Sequence, residues 1–392
     1  MQHFPFQTVG NIISGLGSIS ELKTVLTEKN YKRLLLVTDA GILQHQLHQP
    51  ILEILEQLQL DYAIYSNVQA DPAEQIVLEA VDFAKQKNID VVLGFGGGSA
   101  MDVAKIIAVL SHPEQSQQLS DLYGVGNAQA PRLPLILVPT TAGTGSEVTM
   151  VAVVSDTEKN VKMPFASYYL MPHAAILDPR MTQTLPPHLT AMTAMDAMTH
   201  AIEAYSCMAA NPISDAYATA AIKKISNNLF NVLDNPSDEQ GRLELAQAST
   251  MAGIAFSNSM VGLVHSLGHA LGAVAHLPHG LCMNLFLPYV LEYNKDVNAD
   301  KIAELLLPLA GADVYAQTPA HLRADKTIST LLAIRDRLYA LTKLPRTLQE
   351  TGKVSEAQLD EVAEKALNDG SIIYNPKEAN LEELKAILKK AW

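Results

Sequence analysis

Cysteine is nearly missing. Cys207 and Cys282 are the two thiols in 392 residues and form no CxxC pair, which excludes a disulfide framework and a thiolate zinc site. Positive charge is also short: 28 Lys and Arg stand against 41 Asp and Glu, a net charge of −13. A chain of that sign repels phosphate backbones, so no nucleic-acid partner is expected and the charge serves solubility. No uncharged apolar run approaches the roughly 18 residues of a membrane span. The start, MQHFPFQTVGN, lacks a basic stretch followed by an apolar one, so no signal peptide is read there. Together these absences lead to the expectation of a cytoplasmic protein in a reducing compartment. Internal repeats and low-complexity tracts are absent too.

What is present is a globular composition, 48% hydrophobic and 18% charged. The length exceeds one ordinary core and predicts two domains. In the first half, short apolar runs alternate with helical patterns. RLLLVTD (33–39), DYAIYS (61–66), DVVLGF (90–95) and LPLILVPTT (133–141) read as strands. QPILEILEQLQL (49–60) and EQIVLEAVDFAKQKN (74–88) carry apolar residues at helical spacing. This alternation predicts a mostly parallel sheet covered on both faces. EVTMVAVVSD (147–156) and AAILDP (174–179) are the last strand-like runs. Beyond LPPHLT the pattern is helical to the end. The expected division is an α/β domain at 1–185 and an all-helical domain at 186–392.

Three features of the first half suit a dinucleotide. In GFGGGSAMDVAK a strand meets Gly96, Gly97, Gly98 and Ser99 and then a helix. Glycines let backbone amides approach a ligand closely, and the N-terminus of the next helix carries free amides and partial positive charge, a place for phosphate. A plain turn would use the same residues, and the motif is not GxGxxG. Asp39 ends the strand at 33–39, where ligands bind in open α/β sheets. A carboxylate there can accept from an adenosine ribose and would repel a 2′-phosphate, favouring NAD over NADP; a simple turn aspartate is the alternative. PTTAGTGSEVT (139–149) follows another strand with hydroxyls and glycines suited to a pyrophosphate or nicotinamide, or to an ordinary polar loop.

The second half holds the titratable groups. AMDAMTHAIEAY places Asp196 and His200 four apart, on one helix face. VHSLGHALGAVAHLPHG (264–280) carries His265, His269, His276 and His279 among apolar and small residues. Imidazoles are costly to bury without partners. Several imidazoles with a carboxylate and no thiolate suit Fe(II) or Zn(II) acting as a Lewis acid. Spacing alone leaves open which histidines ligate, and His276 reads as a surface residue.

In order along nearly the whole chain, GGGSAMDVAK, PTTAGTGSEVT, ILDPRMTQTLPPHLTAMTAMDAMTHAIEAY and VHSLGHALGAVAHLPHG resemble the iron-containing (group III) alcohol dehydrogenases. Among members the likeness is greatest to lactaldehyde reductases, 1,3-propanediol dehydrogenases and short-chain alcohol dehydrogenases. The resemblance implies a Rossmann-like domain followed by an all-helical one, the dehydroquinate synthase-like architecture, with the active site in a cleft between them. It selects Asp196, His200, His265 and His279 as ligands of Fe(II), with Zn(II) as the alternative ion. His269 becomes a non-ligand near the reacting carbon, a candidate proton carrier. Gly97, Gly98 and Ser99 would hold the pyrophosphate of NAD and Asp39 its adenosine ribose. Asp102, Thr140, Thr141, Thr144, Thr149 and Lys162 match other cofactor-lining positions. The implied substrate is a small primary alcohol or diol, or its aldehyde, and the implied assembly a homo-oligomer joined through an edge strand of the α/β domain.

Two positions depart from the family pattern. Asp71 stands before Pro72 where relatives often have Asn, and Val151 occupies a position that is polar in some of them. A dehydroquinate-synthase-like lyase would need basic residues for an anionic substrate, yet residues 185–300 offer Lys223, Lys224, Arg242 and Lys295, none near the histidines in sequence. Glycerol-dehydrogenase-like zinc enzymes usually use fewer histidine ligands. Phe165, Phe256 and Val151 could line a small pocket, with core packing as the alternative.

Overall fold

The computed structural model describes residues 4–157 and 161–392. The chain divides into two compact units, Gln7–Leu185 and a helical unit from Pro186 to Trp392. Phe4 to Phe6 group with the helical unit, not with the α/β unit as the expected range of 1–185 had it, and the ring of Phe6 stacks on Tyr217 with centroids 6.0 Å apart.

Among the described residues the first unit has nine strands: β1 Ile12–Ser14, β2 Arg33–Asp39, β3 Asp61–Val68, β4 Val91–Gly96, β5 Gly124–Val125, β6 Leu135–Pro139, β7 Val151–Asp156, β8 Val161–Ala166 and β9 Ala174–Leu177. Its helices are α1 Leu22–Thr27, α2 Ala40–Gln44, α3 Gln49–Gln57, α4 Glu74–Gln86, α5 Gly98–Leu110 and α6 Leu119–Leu122. Six strands form a parallel sheet in the order β1-β9-β6-β4-β2-β3. Side-chain alternation sends β2 both ways. Leu35 and Val37 pack with Val77 and Val81 of α4 and with α5, while Leu34 and Leu36 pack with Leu22 of α1 and Ile51 and Leu55 of α3. Both faces are covered, which is why these strands read as unbroken apolar runs. A second small sheet runs β5-β8-β7, with β7 and β8 antiparallel and β5 parallel to β8. β1, β5 and β8 were not expected from sequence. β1 and β5 are only three and two residues long, and β8 carries Pro164, which argues against a strand unless it sits where a ladder bond is dispensable.

From β2 the chain steps outward to β3 and then returns to place β4 on the other side of β2. The strand order therefore reverses at the carboxyl ends of β2 and β4, the place where open α/β sheets take ligands. Asp39 ends β2 and Gly96 ends β4, so both stand at this switch point.

The helical unit contains α7 Pro187–Ser206, α8 Pro212–Asp234, α9 Glu239–Ser257, α10 Leu263–Ala275, α11 His279–Glu304, α12 Leu306–Ala310, α13 Ala312–Gln317, α14 Arg323–Thr342, α15 Leu359–Leu367 and α16 Leu381–Lys390. α7 opens with Pro187, which needs no amide partner at a first helical position. Its Ala- and Met-rich sequence has high helix propensity and is buried almost all round, as a central helix must be. No helix among the described residues is long and apolar enough to cross a membrane.

Candidate metal centre and cofactor cradle

In the helical unit, three helices bring four donors to one point. Asp196 and His200 project from α7, His265 from the first turn of α10, and His279 is the first residue of α11. One ligand atom from each lies within 4.8 Å of every other. Glycines make the approach possible. A Cβ on Gly280 would lie 2.6 Å from the Met192 carbonyl oxygen of α7, and one on Gly268 only 1.9 Å from Cε of Met283 of α11. Phe256 stacks on His200 with centroids 4.4 Å apart, and His200 stacks in turn on His265 at 4.7 Å.

The electrostatics of this cluster call for a cation. Asp196 is 3% exposed, and burial pushes its carboxyl up to about 8. Its Oδ1 lies 3.3 Å from Nε2 of His279 but makes no hydrogen bond, and the buried Nε2 of His265 likewise has no hydrogen-bond partner. Buried polar atoms left this way are costly. A divalent ion in the middle would satisfy both, and three imidazoles with one carboxylate suit iron or zinc. The side chain of His279 is 34% exposed, so the cluster is open on that side.

Sequence reasoning missed two carboxylates behind the histidines. Oε2 of Glu203 lies 2.5 Å from Nδ1 of His265, and Asp369 pairs with Nδ1 of His269 at 2.9 Å. Burial pushes Asp369 up, but its bonds with His269 and the Ser371 amide hold its carboxyl below the usual range. Glu203 had a readable signal, since it continues the face of Asp196 and His200 on an otherwise apolar helix. Asp369 had none, being a hundred residues from its partner. His269 stands beside the cluster, its ring stacked on that of His279 at 5.4 Å. His276 is exposed and ends α10 in the left-handed region, φ 51°.

In the α/β unit several of the candidate cofactor residues lie around the switch point. Gly97 caps α5 without a side-chain hydrogen bond, leaving the first-turn amides of a 13-residue helix for a ligand. A Cβ on Gly98 would lie 2.7 Å from Cγ2 of Thr144, one on Gly97 3.5 Å from that of Thr141, and one on Gly96 3.7 Å from Oδ2 of Asp39. Gly96, Gly97, Gly98, Thr141, Thr144 and Asp39 are therefore neighbours, and Ser99 follows Gly98 in the first turn of α5. Asp39 also does the alternative job foreseen for it, its Oδ1 capping α2 by accepting from the Ile42 amide at 3.0 Å. Thr140 is buried and its amide bonds the Gly96 carbonyl.

Three expected contacts are engaged with the protein itself. Asp102 accepts from the Ser146 hydroxyl at 2.6 Å and the Val153 amide at 2.9 Å, with Lys105 3.7 Å away. The hydroxyl of Thr149 receives a hydrogen bond from Lys105, which also donates to the Val151 carbonyl. Burial pushes Asp102 up and Lys105 down to about 8, each opposed by the other's charge. These bonds tie α5 to the loop before β7. Lys162 forms an ion pair with Asp71, the residue that stands in place of the usual Asn. Phe165 is fully buried against Tyr123.

Comparison with known proteins accounts for both halves. The family described as iron-containing alcohol dehydrogenase matches residues 10–179, and the C-terminal family of the Fe-containing alcohol dehydrogenases matches residues 190–392. The NAD-dependent methanol dehydrogenase of Bacillus methanolicus is 35% identical over 379 residues, 97% of each chain. The 1,3-propanediol dehydrogenase of Klebsiella pneumoniae is 35% identical over 372 residues, 92% of each. A crystal structure of a 1,3-propanediol oxidoreductase superposes with a TM-score of 0.93 at 32% identity over the full length of both chains. The chain belongs to the iron-containing alcohol dehydrogenase family. It is a metal-dependent, NAD(P)-linked oxidoreductase that interconverts an alcohol and its aldehyde.

Proposed function

We propose that this enzyme transfers a hydride between NAD(H) and a small primary alcohol or diol, or the corresponding aldehyde. Asp196, His200, His265 and His279 hold Fe(II), and Asp39, Gly97, Gly98, Ser99, Thr140, Thr141, Thr144 and Lys162 hold the dinucleotide. The observation that carries the reading is the four-donor cluster, with Nε2 of His265 and Oδ1 of Asp196 buried and aimed at one another's neighbourhood without hydrogen bonds. When bound, the ion supplies a Lewis acid for the substrate oxygen and the nicotinamide supplies or accepts the hydride.

The chain's own residues do the rest. Asp196 offsets part of the ion's charge, and the aromatic wall of Phe256 keeps His200 oriented. His269, with its Nδ1 held by Asp369, offers its other ring nitrogen as a proton carrier for the alcohol. Asp39 presents a carboxylate where a 2′-phosphate would be repelled, which favours NAD. Asp102 and Thr149 act by positioning the loop, since their polar atoms are already committed to Ser146, Val153 and Lys105.

Homo-oligomerisation and a cytoplasmic setting complete the proposal. β1 leaves one edge of the six-stranded sheet unpaired among the described residues, and both cysteines are free thiols. Protein stripped of metal by a chelator and reloaded anaerobically with Fe(II) or Zn(II) tests the main claim. Reduced nicotinamide should appear with two- to four-carbon alcohols or diols only after reloading. Silence across that panel, in both directions, overturns the substrate class, and equal use of NAD and NADP overturns the role of Asp39.

A further inference from the structure

We propose that Glu203 is a positioning residue of the metal centre, one carboxylate that sets both the tautomer of His265 and the start of the helix carrying it. The inference rests on the metal reading of the cluster. Glu203 is 4% exposed and lies on α7 one turn beyond His200. Its two oxygens have different tasks. Oε2 is 2.5 Å from Nδ1 of His265, and Oε1 accepts from the amide of Val264 at 2.7 Å.

The second bond answers a question about α10. A helix leaves its first amides without intrahelical partners. The residue before α10 is Gly262, which has no side chain to cap them. The caps come from elsewhere in the fold: Val264 donates to Glu203, and Leu263 donates to Oδ1 of Asn375 at 3.4 Å. Asn375 is held in turn by reciprocal 2.9 Å bonds with Asn294 of α11. Glycine at 262 makes room, because a Cβ there would lie 3.2 Å from Oε1 of Glu203 and 3.3 Å from Oδ1 of Asn375. The start of α10 is thus pinned from α7 and α11, the two helices that carry the other three candidate ligands.

The first bond fixes which nitrogen of His265 faces the cluster as a base. An ionised carboxylate can only accept, so Nδ1 must hold the proton and Nε2 the lone pair. Nε2 is the atom left without a hydrogen-bond partner among buried groups. A carboxylate behind a ligating histidine holds the ring in place and makes it a better donor. Glu203 is not itself a fifth ligand, since both its oxygens are engaged.

The test is metal affinity, measured by titrating metal-free protein with Zn(II) against a chromophoric chelator. In Glu203→Gln the single amide oxygen can serve His265 or Val264 but not both. Affinity should fall about 10- to 100-fold, the range found for partners behind metal ligands. Glu203→Asp keeps the charge but is one methylene shorter, so its loss should be intermediate, and it decides the matter if the glutamine variant does not fold. The melting midpoint of the metal-free protein separates this from a purely structural cap, which would lower that midpoint and leave zinc affinity within twofold of the parent. Parity of affinity in the variant that folds overturns the inference. A parent protein that takes up no zinc overturns instead the metal reading beneath it.

Discussion

The two units hold their polar chemistry in opposite ways. In the α/β unit the groups proposed to face the ligand are backbone amides at the start of α5, with hydroxyls and a strand-end carboxylate beside them. In the helical unit they are side chains standing in an apolar interior, Asp196, His200 and His265 being 3 to 5% exposed. A backbone cradle is supplied by any chain that folds this way. A buried side-chain cluster is supplied only by particular residues, each needing compensation, which is why Glu203, Asp369 and Phe256 stand behind it. The difference teaches where substitution should abolish the chemistry and where it should merely shift a preference.

The sharpest way to expose that contrast is His265→Ala. Removing a ligand should weaken metal binding by more than the roughly 100-fold ceiling for residues behind the ligands, and turnover should vanish with it. NADH binding, followed by nicotinamide fluorescence, should survive, because the proposed cradle lies in the other unit. Full metal content in this variant would remove His265 from the site. Chelation of the parent protein should reproduce the same split between lost turnover and retained dinucleotide binding.

Lys105→Ala should strike the opposite unit. Lys105 is wholly buried and its ammonium faces Asp102 at 3.7 Å. Taking away one partner of a buried pair leaves an uncompensated charge and costs about 3–5 kcal/mol. The expected result is a large drop in the denaturation midpoint of the apoprotein with zinc affinity preserved in protein that remains folded. A midpoint near that of the parent would show that the lysine does not hold the loop before β7.

A smaller effect is expected at the switch point. Asp39→Asn removes the charge but keeps the cap on α2, since Asn is as good a capping residue as Asp. With like-charge repulsion gone, the preference for NAD over NADP in kcat/KM should fall about tenfold, ~1.4 kcal/mol, with no change in stability. An unchanged ratio would leave Asp39 as a helix cap alone.

How much of this was legible in the sequence follows the same division. The parallel sheet and the helical half were readable because β2, β4 and β6 are unbroken apolar runs and α7 is rich in strong helix formers. The i, i+4 pair Asp196 and His200 announced its shared face. β5 and β8 were not readable, one being two residues long and the other interrupted by Pro164. Asp369 could not be paired with His269 by any local pattern. Asp102 and Thr149 matched cofactor positions, yet no periodicity reveals that Lys105 and Ser146 engage them. Local chemistry shows in a sequence, whereas partners brought together by tertiary packing do not.

The glycine turn gives the finest comparison, and within one motif. Gly96 and Gly98 are required by packing, because added Cβ atoms would lie 2.7 Å from Ala100 Cβ and from Thr144 Cγ2 respectively. Gly97 is different: its φ of −75° and ψ of −174° suit any residue, and a Cβ there would meet Thr141 at an ordinary 3.5 Å. Among the described residues no contact requires glycine at 97, so a methyl group there tests the proposed approach of a phosphate rather than the packing. Gly97→Ala should therefore change stability by less than about 1 kcal/mol, and in the favourable direction if anything, because alanine restricts the unfolded chain. Dinucleotide affinity should fall all the same, since the methyl group keeps the pyrophosphate off the first amides of α5. Equal affinity in the alanine variant would mean that the phosphates do not approach the backbone at this residue.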